Sequence, residues 1–254
     1  GAEKCLSQVF FAYRRSGSFY DCLREHRYRY NYPHRCDGKE LLAVIEDATV
    51  PCAFFDPQYR GVLDKLAYGN EGVSRGTARC RLPQMSEKTI KEFIAQIARV
   101  LVPSGHLFLW VDKFHLCEGV SGWLPGVLQV VDMIVWNKLK IGMGYRTRRQ
   151  CEYLLVVQKK PVRAKGVWAV HDIPDVWEEK ASGPHPHAKP IGLQVRLIEA
   201  VTNPGEVVLD PAAGSFSVLE ACLRTGRTFL GGDMVYGEDW APENPPRAGD
   251  KQRQ

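Results

Sequence analysis

Val207-Val208-Leu209-Asp210-Pro211-Ala212-Ala213-Gly214-Ser215 decides the fold: a short apolar run ends in an acid and a proline, then passes through small residues into a helical pattern. Such a junction marks the carboxyl end of a strand in a parallel sheet, where small residues let backbone N–H groups approach a bound molecule closely. Some twenty residues further on, Gly231-Gly232-Asp233 closes the next strand with an acid suited to ribose hydroxyls. The competing reading is that Asp210 merely caps the helix.

A second junction has the same form. Val50 to Phe55 is an unbroken apolar run that ends in Asp56-Pro57-Gln58-Tyr59. An acid, a proline carbonyl and an aromatic ring within four residues suit an exocyclic amine: Asp56 accepts one N–H, the Pro57 carbonyl accepts the other, and Tyr59 stacks on the planar base. The competing reading is an ordinary strand-ending turn.

Outward from these junctions, apolar β-rich runs alternate with helical patterns, which predicts parallel strands joined by crossovers. Strands are expected at Val50 to Phe55, His106 to Val111, Val131 to Trp136, Glu152 to Val157, Val207 to Leu209 and Thr228 to Gly231. Helices are expected from Ser86, a cap, to Leu101 with a stop at Pro103-Ser104-Gly105, from Pro190 to Val201, and from Phe216 to Thr225 with Gly226 as terminator. The fold class is therefore α/β, a mostly parallel doubly wound sheet with helices on both faces. Residues 36–236 form the expected catalytic domain. Residues 1–35 are a basic and aromatic N-terminal segment, and 237–254 a polar, Pro-rich tail expected to be disordered. Residues 60–85 read as an active-site loop, with Arg75 and Arg79 against nucleic-acid backbone, and 158–188 as a connecting or target-contacting segment outside the core.

Composition removes several classes. With 254 residues, 44% hydrophobic and 25% charged, the chain is an ordinary globular domain and no disordered or fibrous protein. No apolar run reaches the ~18 residues of a membrane span, and the opening Gly1-Ala2-Glu3-Lys4-Cys5 is no secretory signal, so a cytoplasmic protein is expected. The eight cysteines include no C-x-x-C pair, so neither a metal site nor a disulfide framework is expected. The net charge of +5 is uneven. Residues 134–165 carry nine Lys or Arg against one acid, Glu152, or +8, which leaves −3 for the remainder. Lys138, Lys140, Arg146, Arg148 and Arg149 follow a strand whose carboxyl end should share an edge with Asp56, a placement suited to phosphates beside the site.

On these motifs the chain resembles the amino-methyltransferases that modify exocyclic amines of DNA bases. Asp56-Pro57-Gln58-Tyr59 is similar to their Asp/Asn/Ser-Pro-Pro-aromatic motif, and Asp210-Pro211-Ala212-Ala213-Gly214-Ser215-Phe216 to their Asp-Pro-Phe-x-Gly-Ser-Gly. Gln58, Ala212 and Phe216 depart from those patterns. The catalytic motif precedes the cofactor motif, as in the circularly permuted β class. Asp37, His185-Pro186-His187-Ala188-Lys189-Pro190, and the run from Trp136 to Leu155 fall in the matching order. The resemblance covers about Asp37 to Asp233 and implies S-adenosylmethionine as cofactor, bound by Asp37 toward adenine, Asp233 at ribose, and Lys189, Asp210, Pro211, Ala212, Gly214 and Ser215 around the methionine end. It implies methylation of adenine N6 in DNA by Asp56, Pro57 and Tyr59 in a bacterial or phage restriction-modification context, without a metal. Cytosine N4, RNA as substrate, or a non-catalytic DNA-binding subunit are the alternatives. DNA is the expected partner, a homodimer is compatible, and no membrane is expected.

Overall fold

The computed structural model describes residues 28–57, 85–142, 146–181 and 188–239. Tyr59, Arg75, Arg79 and His185 to His187 lie outside the described residues, as do most of loop 60–85 and residues 240–254. In chain order the elements are α1 (Gly38–Ala43), β1 (Val50–Phe55), α2 (Glu87–Val100), β2 (Leu101–Val111), α3 (Lys113–Glu118), β3 (Leu128–Asn137), β4 (Cys151–Lys159), β5 (Val176–Glu178), α4 (Ile191–Val201), β6 (Val207–Asp210), α5 (Ser217–Thr225) and β7 (Thr228–Gly231). The strands form one seven-stranded sheet in the order β5-β3-β4-β2-β1-β6-β7.

β1 is buried at every position, and its side chains alternate between two cores. Ala53 and Phe55 enter the core under α1 and α2, with Leu41, Ile90, Phe93, Ile94 and Ile97. Cys52 and Phe54 enter the core under α4 and α5, with Leu193, Leu197, Ile198, Val218 and Ala221. A strand covered on both faces has no polar face to show, which is why β1 reads as a continuous apolar run. The capping signals also hold. Ser86 accepts the Thr89 N–H at 3.1 Å to start α2, and Gly226 closes α5 at φ 67°.

Three features differ from the sequence expectation. First, β4 runs antiparallel to both β2 and β3, because residues 138–150 are the turn of a β3-β4 hairpin and not a crossover. Hydrophobic periodicity carries no strand direction. Second, α2 stops at Val100, and Pro103-Ser104-Gly105 lies inside β2. The partner of β1 jumps there from Leu101 to His106 while β1 advances only from Val50 to Cys52, so the extra residues bulge, with Ser104 at φ 63°. Third, among the described residues of 158–188, Trp168, Ile173 and Trp177 pack against the core. The segment also supplies β5, paired in parallel with Val135 to Asn137, and the Trp168 ring lies 5.6 Å from that of His106.

The ends of the domain are pinned as well. Asn31 N–H donates to the Phe229 carbonyl at 2.9 Å, which covers the outer edge of β7, and Arg35 N–H donates to the Glu238 carbonyl at 2.9 Å. Among the described residues no helix is long and apolar enough to cross a membrane.

Candidate functional site

The ladder directions put the carboxyl ends of β1, β2, β3, β5, β6 and β7 on one edge, together with the start of β4. Ligands of open α/β sheets bind at this edge, where strands diverge to opposite sides. Asp56, Lys138, Asp210 and Asp233 follow or end strands here, and Glu152 opens β4.

Three cavities open along the edge, and Asp56 lines each of them. The first, about 230 Å³, is walled by Asp37, Gly38, Phe93, Pro211, Ala212 and Asp233. Its shape depends on a close approach, since a Cβ on Gly38 would lie 2.0 Å from the Pro211 carbonyl oxygen. Asp37 caps α1 through the Lys39 N–H at 2.8 Å. Asp233 ties two turns together: its carboxylate accepts from Gly214 N–H at 3.1 Å and from the N–H groups of Val235 and Tyr236, both at 2.8 Å. Gly214 itself sits at φ 52°, where a side chain would be strained.

The second cavity, about 350 Å³, is walled by Trp110, Phe114, Lys138, Arg148, Arg149 and Glu152 besides Asp56. The hairpin turn that supplies its bases is closed by Lys138 N–H to the Gln150 carbonyl at 2.9 Å and Gly142 N–H to the Arg149 carbonyl at 2.6 Å. Lys140 and Arg146 are exposed on the same turn.

A chain of alternating charges joins this wall to Asp56. Lys138 Nζ lies 3.1 Å from Glu152 Oε1, and Lys189 Nζ lies 2.7 Å from Glu152 Oε2 and 3.0 Å from Asp56 Oδ2. The Lys189 ammonium also stands 4.7 Å from the centre of the Trp110 ring. Burial alone would push Lys189 down, but Asp56 and Glu152 outweigh it and hold the ammonium above the usual lysine range. Burial pushes Glu152 up, yet Lys189 and Lys138 bring its carboxyl down to about 2.

A small third cavity, about 30 Å³, joins the two junctions and is lined by Asp56, Trp110, Lys189, Gln194, Asp210 and Ser215, among others. Asp210 is buried and accepts the Ala212 N–H at 3.3 Å. Desolvation pushes its carboxyl well above the usual range. Phe216 holds the left-handed conformation at φ 58°, and its ring packs on Phe229 at 6.1 Å. Ala212, and not Phe216, lines the cavities, so the two departures from the resemblance leave the space open.

The structure thus brings together Asp37, Asp56, Lys138, Arg148, Arg149, Lys189, Asp210, Pro211, Ala212, Gly214, Ser215 and Asp233. Sequence reasoning had no site role for Glu152, Trp110 or Gln194. Only Glu152 carried a signal, as the single acid among nine bases. No group of His, Cys, Asp and Glu among the described residues could hold a metal.

Residues 52–236 match the family model described as DNA methylase, the N6/N4 methyltransferases. The chain belongs to the N6/N4 DNA methylase family. Among curated relatives of this family, it is 56% identical over 212 residues to Type II methyltransferase M.HhaII of Haemophilus parahaemolyticus, covering 82% of this chain and 93% of that one. It is 41% identical over 223 residues to Type II methyltransferase M2.DpnII of Streptococcus pneumoniae, covering 78% and 82%. Solved structures share the fold: an M1.HpyAVI–SAM complex at TM-score 0.57 and 19% identity, covering 80% of this chain and 92% of that one, and the cytosine-N4-specific PvuII DNA methyltransferase at TM-score 0.55 and 15% identity, covering 82% and 85%. As an N6/N4 DNA methylase, the chain is a DNA methyltransferase of a family that takes either exocyclic amine.

Proposed function

We propose that this chain transfers a methyl group from S-adenosylmethionine to the N6 amine of adenine in DNA, as the modification enzyme of a type II restriction-modification system with a short target sequence. The observation that carries this reading is the position of Asp56, which lines both larger cavities and so stands where a cofactor and a flipped base would meet.

The first and third cavities suit a donor-rich cation. Their walls carry the carboxyls of Asp37, Asp56, Asp210 and Asp233, and Asp210 is buried with no cation within salt-bridge distance among the described residues. Asp37 would face the adenine, Asp233 the ribose, and Asp210, Gly214, Ser215 and Lys189 the methionine end. When bound, S-adenosylmethionine supplies a methyl group on a positive sulfur. The protein's own part is orientation. Asp56 and the Pro57 carbonyl accept the two amine N–H bonds and turn the nitrogen lone pair toward the methyl group, while Tyr59 stacks on the base. The Lys189 ammonium, 3.0 Å from Asp56 Oδ2, holds the Asp56 side chain in place at the end of β1.

Across the second cavity, Lys138, Lys140, Arg146, Arg148 and Arg149 would hold phosphates beside the extruded base, and Arg75 and Arg79 would close from the loop 60–85. An aspartate in the first motif position favours adenine, by the resemblance drawn from sequence. Digestion of methylated plasmid to nucleosides followed by mass spectrometry tests the target. N6-methyladenine is the expected product; N4-methylcytosine would replace the target, and neither product would favour a non-catalytic subunit.

A further inference from the structure

α4 presents a buried face of Ile191, Leu193, Gln194, Leu197, Ile198 and Ala200. Gln194 is the polar member of that set and is only 1% exposed. Its Oε1 has no hydrogen-bond partner among the described residues. A buried acceptor left unpaired is destabilising, and natural cores rarely keep one without a reason. Gln194 lines the cavity of about 30 Å³ shared with Asp56, Lys189, Asp210 and Ser215, space for one or two water-sized groups.

The wall chemistry limits the occupant. Asp56, Asp210 and the Gln194 amide oxygen are acceptors, and the charge of Lys189 is already engaged by Asp56 and Glu152. The group that pairs with Gln194 Oε1 must donate a hydrogen bond and be about the size of a water molecule, and the neighbouring carboxyls of Asp56 and Asp210 favour one that carries positive charge. A primary ammonium meets all three conditions; a sulfonium has no N–H, and an adenine or a ribose is too large.

We infer that Gln194 is a ligand-contacting residue whose amide oxygen accepts a hydrogen bond from the α-ammonium of the methyl donor's amino-acid end. This rests on the cofactor reading above. It makes α4 part of the donor site and explains why this otherwise apolar face keeps an amide.

Calorimetry with two probes tests it. S-adenosylhomocysteine carries the amino-acid end, and 5′-methylthioadenosine lacks it. Gln194→Met keeps length and removes the acceptor, so affinity for S-adenosylhomocysteine should fall about tenfold, the scale of a hydrogen bond to a charged group. Affinity for 5′-methylthioadenosine should stay within about twofold of the parent, and the unliganded variant should melt no lower than the parent. Gln194→Glu, which restores an acceptor, should retain S-adenosylhomocysteine. Equal loss for both probes, no loss for either, or failure of the Glu variant to retain the full ligand while still binding 5′-methylthioadenosine would overturn the assignment. If the parent binds neither probe, the cofactor reading falls and the assignment falls with it.

Discussion

Lys189 Nζ stands between two carboxylates, 3.0 Å from Asp56 Oδ2 and 2.7 Å from Glu152 Oε2, and so fastens the acid that ends β1 to the acid that opens β4. Lys189 is largely buried, while both partners keep about a third of their side-chain surface in water. Lys189→Met should leave two facing acids without their shared cation and destabilise the protein by about 1–3 kcal/mol, below the cost of breaking a fully buried pair because the carboxylates are partly solvated. Urea midpoints of the parent and the variant check this. Lys189→Met combined with Glu152→Gln should recover part of the loss, since one of the two facing negative charges is gone.

Glu152 carries a pH signature. Its carboxyl lies at about 2 in the fold, against about 4.3 for an unfolded glutamate. A depressed carboxyl stabilises the fold above the unfolded value, and that contribution is lost as pH falls from about 4.3 toward 2. Glu152→Gln should therefore be less stable than the parent at pH 6, with the gap narrowed by about half at pH 3. A gap that is the same at both values in denaturant titrations would show that Glu152 gains nothing from its two lysines.

Asp210 predicts the opposite linkage on binding. Burial raises its carboxyl above the usual range. A cation entering the third cavity favours the ionised form. S-adenosylmethionine binding should release protons, and its affinity should rise with pH. Calorimetry in buffers of different ionisation enthalpy reads the release directly. Asp210→Asn should abolish it and weaken binding by about 1–3 kcal/mol.

Much of this arrangement was legible in sequence, and the failures share a cause. β1 was read to the residue because burial on both faces leaves no polar alternation, and Ser86 and Gly226 marked helix ends by local chemistry. Asp56 and Asp210 were legible because strand ends in a parallel sheet converge on one edge. What escaped depends on pairing across long separations. β5 is three residues long, too short for periodicity, and takes its conformation from β3. The antiparallel course of β4 is set by its partners and by the hairpin turn. Glu152 meets Lys189 across 37 positions, and Gln194 sits at a position that the helical pattern alone makes apolar.

The basic hairpin turn should act as a phosphate clamp. Arg146, Arg148 and Arg149 are exposed beside the second cavity. Their joint replacement by alanine should weaken DNA binding about equally across sequences and reduce the slope of log affinity against log salt by about 0.9 per lost phosphate contact. The fold should be unaffected. Equal salt slopes for variant and parent would place the turn away from DNA.

If Asp56 is the acceptor at which the donor and the base meet, Asp56→Ala removes the group on which methyl transfer turns. Radiolabelled methyl transfer from S-adenosylmethionine to duplex DNA should fall by about 10²–10³-fold, as for other single preorganised hydrogen-bonding groups. Calorimetric affinity for S-adenosylhomocysteine should fall by no more than about tenfold, the scale of one lost hydrogen bond to a charged group, because Asp37, Asp210, Gly214 and Asp233 are untouched. Methyl transfer within about tenfold of the parent, with S-adenosylhomocysteine still bound, would show that Asp56 is not the acceptor.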